Sequence, residues 1–182
     1  QEVHLKAGAN LILDAGALFI TDTHMVPDPT PEQVAEMTLL AATELQHFGL
    51  TPRVALLSHS NFGASHSDSA RKMRSALKLV RQAAPDLMVD GEMHADAALS
   101  QTLREKLIPD SRFDGPANLL VMPTLDAANI TLTALSASSS SPTVGPMLMG
   151  LSQPIHVLTP GVTSRGILNL TAIAAAEVAR EG

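Results

Sequence analysis

The 182 residues contain no cysteine, tyrosine or tryptophan, and only four phenylalanines. Without cysteine there can be no disulfide, thiolate zinc site or cysteine nucleophile, and a reducing, cytoplasmic setting fits. With so few aromatic rings the core has to be assembled from Leu, Ile, Val, Ala and Met. The eight methionines supply adaptable packing and no chemistry of their own. The net charge of −6 leaves no basic footprint for nucleic acid. The basic cluster Arg71, Lys72 and Arg74 lies on what reads as a helix. No apolar run is long enough to cross a bilayer, and no N-terminal stretch reads as a signal peptide. The chain starts at Gln1 instead of Met, which reads as processing or as excision from something longer.

What is present alternates between strand and helix signals. Leu11 to Val26 predicts a β-hairpin turning at Asp14-Ala15-Gly16. Pro27-Asp28-Pro29 forbids regular structure. Thr30 can cap the following helix, Pro31 suits its first position, and Val34, Met37, Ala41, Leu45 and Phe48 recur at helical spacing up to Gly49. Val54 to Leu57 predicts a buried strand, followed by a Gly- and Ser-rich loop from Ser58 to Ser67. Helices are predicted over 70–84, 95–107 with a break at Ser100, 125–135 and 163–180. Strands are predicted at 87–89, 119–122, 144–150 and 155–157, and a polar linker from Ser136 to Pro142. Short apolar strands alternating with helices indicate an α/β domain with a largely parallel sheet, to which the hairpin adds an antiparallel element.

Several segments in order carry a resemblance: Phe19 to Thr23, Pro27 to Glu32, Val54 to Ser58, Asp90 to Asp96, Ala117 to Pro123, Leu125 to Ile130 and Val144 to Pro146. Together they resemble the later part of a phosphate acetyltransferase domain. Ser58-His59-Ser60-Asn61-Phe62-Gly63 and Asp90-Gly91-Glu92-Met93-His94-Ala95-Asp96 are most similar to the phosphate acetyltransferase-like C-terminal domain of the large bacterial NADP-dependent malic enzymes. That resemblance implies the isocitrate/isopropylmalate dehydrogenase-like fold, with two lobes and a coenzyme A cleft between them. Residues 1–157 are then expected to be the second lobe, and 158–182 a C-terminal helix returning to a first lobe mostly absent from this chain.

The same resemblance singles out Leu158 to Asn169. In the transferases this segment reads Ser-Arg-Gly, four residues, Asp. The Ser and Arg sit at the acyl-phosphate and coenzyme A site, and the Asp is assigned as the base for the thiol. Here those places hold Thr159, Pro160 and Gly166. Proline offers no cation and glycine accepts no proton. One lost electrostatic donor typically costs roughly a hundred- to thousandfold in rate, and a lost base a comparable factor. The segment therefore reads as a cleft kept for binding. Arg165 is displaced from the motif position and is expected to point elsewhere.

Candidate ligand residues follow, each beside a plainer reading. Thr159, Pro160, Gly161, Val162 and Thr163 precede a helix whose free N–H groups suit an anion, or they form an ordinary capped connection. Ser60 and Asn61 lie in a loop after a strand end, where α/β sheets place ligands, or in a plain loop. No Walker A ending and no Gly-x-Ser-x-Gly surrounds them. Asp126 and Asn129 share a helix face beside a strand end and suit ligand contact or capping, and Gly145-Pro146 marks an edge or a bulge. Asp90, Glu92, His94 and Asp96 alternate, as metal ligands in an extended segment would, but a solvated or subunit-facing polar edge is the expected reading. The other histidines, His4, His24, His47, His66 and His156, form no ligand pattern.

The expectation is a non-catalytic regulatory and oligomerisation domain that senses acetyl-CoA, needs no cofactor of its own, pairs with itself, and binds neither nucleic acid nor membrane. The resemblance places NADP and a divalent Mg or Mn in a parent enzyme that oxidatively decarboxylates malate to pyruvate. A working phosphate acetyl/butyryl transferase and a purely structural dimerisation module are the alternatives.

Overall fold

The computed structural model describes residues 6–13, 16–112, 114–138, 143–158 and 160–181. Strands β1 (Lys6–Leu13) and β2 (Gly16–Thr21) form the predicted antiparallel hairpin. Helix α1 (Pro31–His47) leads to β3 (Arg53–Leu57), α2 (Asp68–Ala83) and β4 (Met88–Met93). Helices α3 (Ala95–Leu99) and α4 (Gln101–Leu107) part at Ser100. Then come β5 (Leu119–Val121), α5 (Leu125–Ser138), β6 (Thr143–Met149) and α6 (Ser164–Glu181).

Local chemistry explains the helix boundaries. Thr30 and Gln33 form a reciprocal capping box on α1, with Pro31 in the first turn, where its missing N–H costs nothing. Phe48 and Gly49 satisfy the last carbonyls of α1, and Gly49 takes the left-handed φ of +74° that a Cβ would resist. Ser67, Ser100 and Thr163 each accept a backbone N–H in the first turn of α2, α4 and α6.

The sheet order is β4-β3-β5-β2-β1-β6. The β3–β4, β3–β5 and β2–β5 pairings are parallel, while β1 runs against both β2 and β6. The largely parallel sheet is thus present, and strand β1 alone runs in reverse. Two apolar clusters cover its faces. One packs α1, α2 and Leu170 of α6 against Phe19, Val54, Leu56, Val89, Leu119 and Val121. The other packs α3 and α5 against the alternate residues Leu18, Ile20, Ala55, Leu57 and Leu120. The strand period of two sends neighbours to opposite layers. Each fully buried Leu- or Met-sized side chain, such as Leu45, Leu56 or Met73, contributes about 1.5–3 kcal/mol.

Three sequence expectations are corrected. Ile155, His156 and Val157 form no strand, although they run beside the edge strand β6. Ser136 to Ser138 finish α5 instead of opening a linker, and 139–142 fall outside the described residues. Strand β4 continues through Asp90 and Glu92 to Met93, so these acids lie inside the sheet. Pro146 sits on an edge strand where the β1–β6 register shifts, as a proline without an N–H requires. Among the described residues no helix is long and apolar enough to cross a membrane.

Candidate functional site

In open α/β sheets ligands collect outside the carboxyl ends of the strands. Here those ends carry the loop after β3, the end of β4, the loop after β2 and the start of α5. The loop after β3 is fastened down from within. Glu92, fully buried in β4, accepts through one oxygen from Ser60 Oγ at 2.7 Å, the Gly63 amide at 3.0 Å and Arg74 Nη1 at 2.8 Å. Ser60 Oγ also accepts from the Ser65 amide. Asn61 Oδ1 accepts the His94 amide at 2.8 Å, and the Phe62 amide bonds the Glu92 carbonyl at φ +48°. The polar oxygens of Ser60 and Asn61 are therefore engaged in shaping the loop. His59 stays exposed, 3.4 Å from Ser67 Oγ.

The acidic alternation is not a solvated edge. Asp90 and Glu92 are buried, and each meets an arginine of α2. Asp90 accepts from Arg81 at 2.9 Å, from the Gly91 amide and from the Arg112 amide. His94 and Asp96 leave the strand for the first turn of α3. For Asp90 and Glu92 the solvated reading fails because α2 and the loop up to Arg112 fold over this end of the sheet, whereas Asp96 is exposed. Among the described residues no His, Asp and Glu group is placed to hold a metal ion.

Asp22, which the sequence did not single out, organises the next loop. Buried at the end of β2, its carboxylate accepts the amides of His24, Met25 and Val26 at 2.9–3.1 Å. An Asp just before a proline-bearing loop carries that turn signal. Asn129 Nδ2 donates to the Thr23 carbonyl at 3.3 Å and ties α5 to this loop, while Asp126 is exposed one turn earlier. Arg104 was also missed. It is fully buried and donates to the carbonyls of Ala97, Ala98 and Gly115 and to Ser111 Oγ. Burial pushes its pKa below the usual arginine value despite the pull of Asp90. Nothing in the sequence distinguishes it from a solvated helix arginine.

In the closing loop Thr159 lies outside the described residues. Pro160 and Gly161 are exposed, Val162 is half-buried, and Thr163 caps α6 by accepting the Gly166 amide at 3.1 Å. Arg165 is exposed, directed away from the packed face. A Cβ on Gly166 would stand 2.9 Å from Val162 Cγ2, so no larger side chain fits there unless Val162 moves.

The candidates are not all neighbours. Ser60 and Asn61 follow β3, whereas Gly145 and Pro146 lie in β6, four strand spacings or about 19 Å across the sheet. Helix α6 packs on the face of α1 and α2, and α5 on the other. Three cavities, of about 470, 340 and 10 Å³, are lined by none of the candidate ligand residues. The largest opens at the amino ends of β3 and β4, beside Pro52 and Met88.

A family model described as Phosphate acetyl/butaryl transferase matches residues 6–175. The chain is 54% identical over 177 residues to an NADP-dependent malic enzyme of Salmonella typhimurium, covering 96% of this chain and 23% of that protein. It is 54% identical over 167 residues to an NAD-dependent malic enzyme of Rhizobium meliloti, covering 92% and 22%. A Bacillus subtilis phosphate acetyltransferase is 37% identical over 149 residues, covering 82% and 46%. Among solved structures, the EutD phosphotransacetylase of Staphylococcus aureus superposes with TM-score 0.90 at 31% identity, covering 96% of this chain and 54% of that one. A phosphotransacetylase of Streptococcus pyogenes superposes with TM-score 0.92 at 28% identity, covering 97% and 54%. The chain thus spans under a quarter of the malic enzymes it matches and about half of the solved phosphotransacetylases.

Proposed function

The chain belongs to the phosphate acetyl/butaryl transferase family, and from that premise we propose that it is a non-catalytic regulatory and oligomerisation domain of a malic enzyme, with acetyl-CoA as the effector. The observation that carries this reading is the pair Pro160 and Gly166, standing where the resemblance places a cation and a base. A Cβ on Gly166 would stand 2.9 Å from Val162 Cγ2, so a carboxylate-bearing residue there would require Val162 to shift. The high identity to malic enzymes supports a parent that oxidatively decarboxylates malate to pyruvate.

The ligand loop at 159–163 and the loops at the strand ends would form one wall of the cleft, and a first lobe elsewhere in the parent would form the other. This division fits the failure of the candidate residues to share a cavity. The nicotinamide coenzyme and the divalent metal would be held outside this chain. NADP is the narrower reading, since relatives of both coenzyme types match equally well. Pairing of two copies through this lobe would bring two such clefts into one assembly, and a coupling of about 1–3 kcal/mol between cleft and malate site would serve as the signal.

The test is titration of the full-length protein with acetyl-CoA while following malate-dependent reduction of the nicotinamide coenzyme. A saturable change in malate turnover, together with calorimetric heat, is expected. No heat and no change in rate would leave only a structural module. The identity to phosphate acetyltransferases favours a second reading, a working acyl transferase. Robust acetyl phosphate formation from acetyl-CoA would establish it and overturn the first.

A further inference from the structure

Beyond β6 the chain runs from Gly150 to Leu158 as an irregular strap before it enters the loop to α6. Among the described residues no backbone hydrogen bond joins this strap to the sheet. A cavity of about 340 Å³ lies between it and α1, with Leu40 and His47 on one side and Leu151 and Pro154 on the other. The strap is neither laddered nor fully packed, so its seat depends on a few side-chain contacts.

His156 supplies two of them from a buried ring. Its Nδ1 accepts the Leu148 amide at 3.4 Å, which fastens the strap to β6. Its Nε2 stands 3.2 Å from Glu177 Oε2 of α6, at ion-pair distance but without hydrogen-bond geometry. These contacts favour opposite protonation states. Only a ring without a proton on Nδ1 can accept an amide, and imidazolium carries N–H on both nitrogens. The misaligned contact to Glu177 gains most when the ring is charged, because attraction between charges does not need a linear N–H. The other charged groups nearby are Glu44 and His47 of α1 and Arg180 of α6, and β6 contributes none. Glu44 is paired with Arg180 at 3.8 Å and with His47 at 3.1 Å, so Glu177 is the carboxylate that faces the ring. Burial pushes the Glu177 carboxyl above its ordinary range, and the contact with His156 pulls it back.

We propose that His156 is a proton-operated toggle on the strap. Neutral, it bridges β6 and α6. Protonated, it drops the Leu148 amide and stays with Glu177, so the strap leaves the sheet edge and follows α6. Histidine is the side chain suited to this, since its charge changes between about pH 5 and 8. The cavity beside the strap gives it room to shift without displacing packed side chains. The strap continues into 159–163 and α6, so the toggle sets how that end of the chain is seated on the sheet. It stands on these contacts and not on the acetyl-CoA reading.

Amide-resolved hydrogen exchange of the full-length protein, without acetyl-CoA and corrected for intrinsic rates, tests the proposal between about pH 8 and about pH 5.5. Protection of the Leu148 amide is expected to fall about tenfold toward the acid end, the scale of one hydrogen bond, while Leu45 in the core keeps its own. His156→Asn puts a carbonyl oxygen that does not titrate near the place of Nδ1, so protection there should no longer depend on pH. Glu177→Gln removes the charge that favours imidazolium, so the loss should move to lower pH. Equal protection of Leu148 at both ends in the parent overturns the toggle. So does a pH-dependent loss that persists in His156→Asn, or a parallel loss at Leu45, which would be general unfolding. If His156→Asn leaves the amide unprotected throughout, the Glu177→Gln arm decides, and an unshifted midpoint overturns the proposal.

Discussion

The two edges of the sheet are finished differently. At the β4 edge the polar groups are buried and densely bonded: Glu92 gathers Ser60, Gly63 and Arg74, and Asp90 gathers Arg81 and Arg112, while Ser58 Oγ, Arg81 Nε and Glu92 Oε2 are buried without a hydrogen-bond partner among the described residues. At the β6 edge the chain runs alongside without pairing as a strand. Ile155, Val157 and Leu158 are exposed there, as are Ile167, Leu168 and Val178 on the outer face of α6. The inner face of the same helix, Leu170 and Ile173, packs on the core. The β6 side thus presents exposed apolar surface, the kind of patch that marks an interaction site.

The contrast can be broken by substitution, the largest effect first. Glu92→Ala leaves Ser60, the Gly63 amide and a half-buried Arg74 without their common acceptor. A loss of about 3 kcal/mol is expected in denaturant unfolding, the low end for breaking a buried pair because Arg74 reaches solvent. A loss below about 1 kcal/mol would show that this edge is not held by the network. Gly91→Ala comes next. Gly91 has φ +147°, and a Cβ there would stand 2.6 Å from the Leu56 carbonyl oxygen, so about 2 kcal/mol of destabilisation is expected from a lowered melting midpoint.

At the other edge the effects should be smaller and conditional. Burial holds the Glu177 carboxyl above its ordinary value of 4.5, so the folded chain binds this proton more readily than the unfolded chain. Its contribution is full below 4.5 and is lost as pH rises through the raised folded value. Glu177→Gln should therefore gain stability relative to the parent as pH climbs across that window, seen in paired melts. A constant difference would contradict the burial argument. Leu168→Ser, on the exposed face of α6, should change the stability of this chain by less than about 0.5 kcal/mol. If Leu168 meets a first lobe or a second copy, the same substitution weakens assembly of the full-length protein in sedimentation. No change in either measurement would leave that face without a partner.

Particular residues separate what sequence could determine from what it could not. The capping of α1 by Thr30, the break at Ser100, the hairpin and the strand–helix alternation are short-range matters, decided by residues a few places apart. They were legible because turn chemistry and hydrophobic period act locally. The family was legible from ordered motifs. The partners of Asp90, Glu92 and Arg104 were not. Glu92 reaches Ser60 across 32 positions, and Arg104 looks like any helix arginine until a loop folds over it. The 155–157 segment has strand composition, yet it finds no ladder, because pairing requires a neighbour at the right register and distance. Sequence alone determined most of the elements and their local boundaries, which depend on residues a few places apart. Only the tertiary structure decided which charges are buried and which partners they meet, since desolvation and pairing depend on groups brought together from distant parts of the chain.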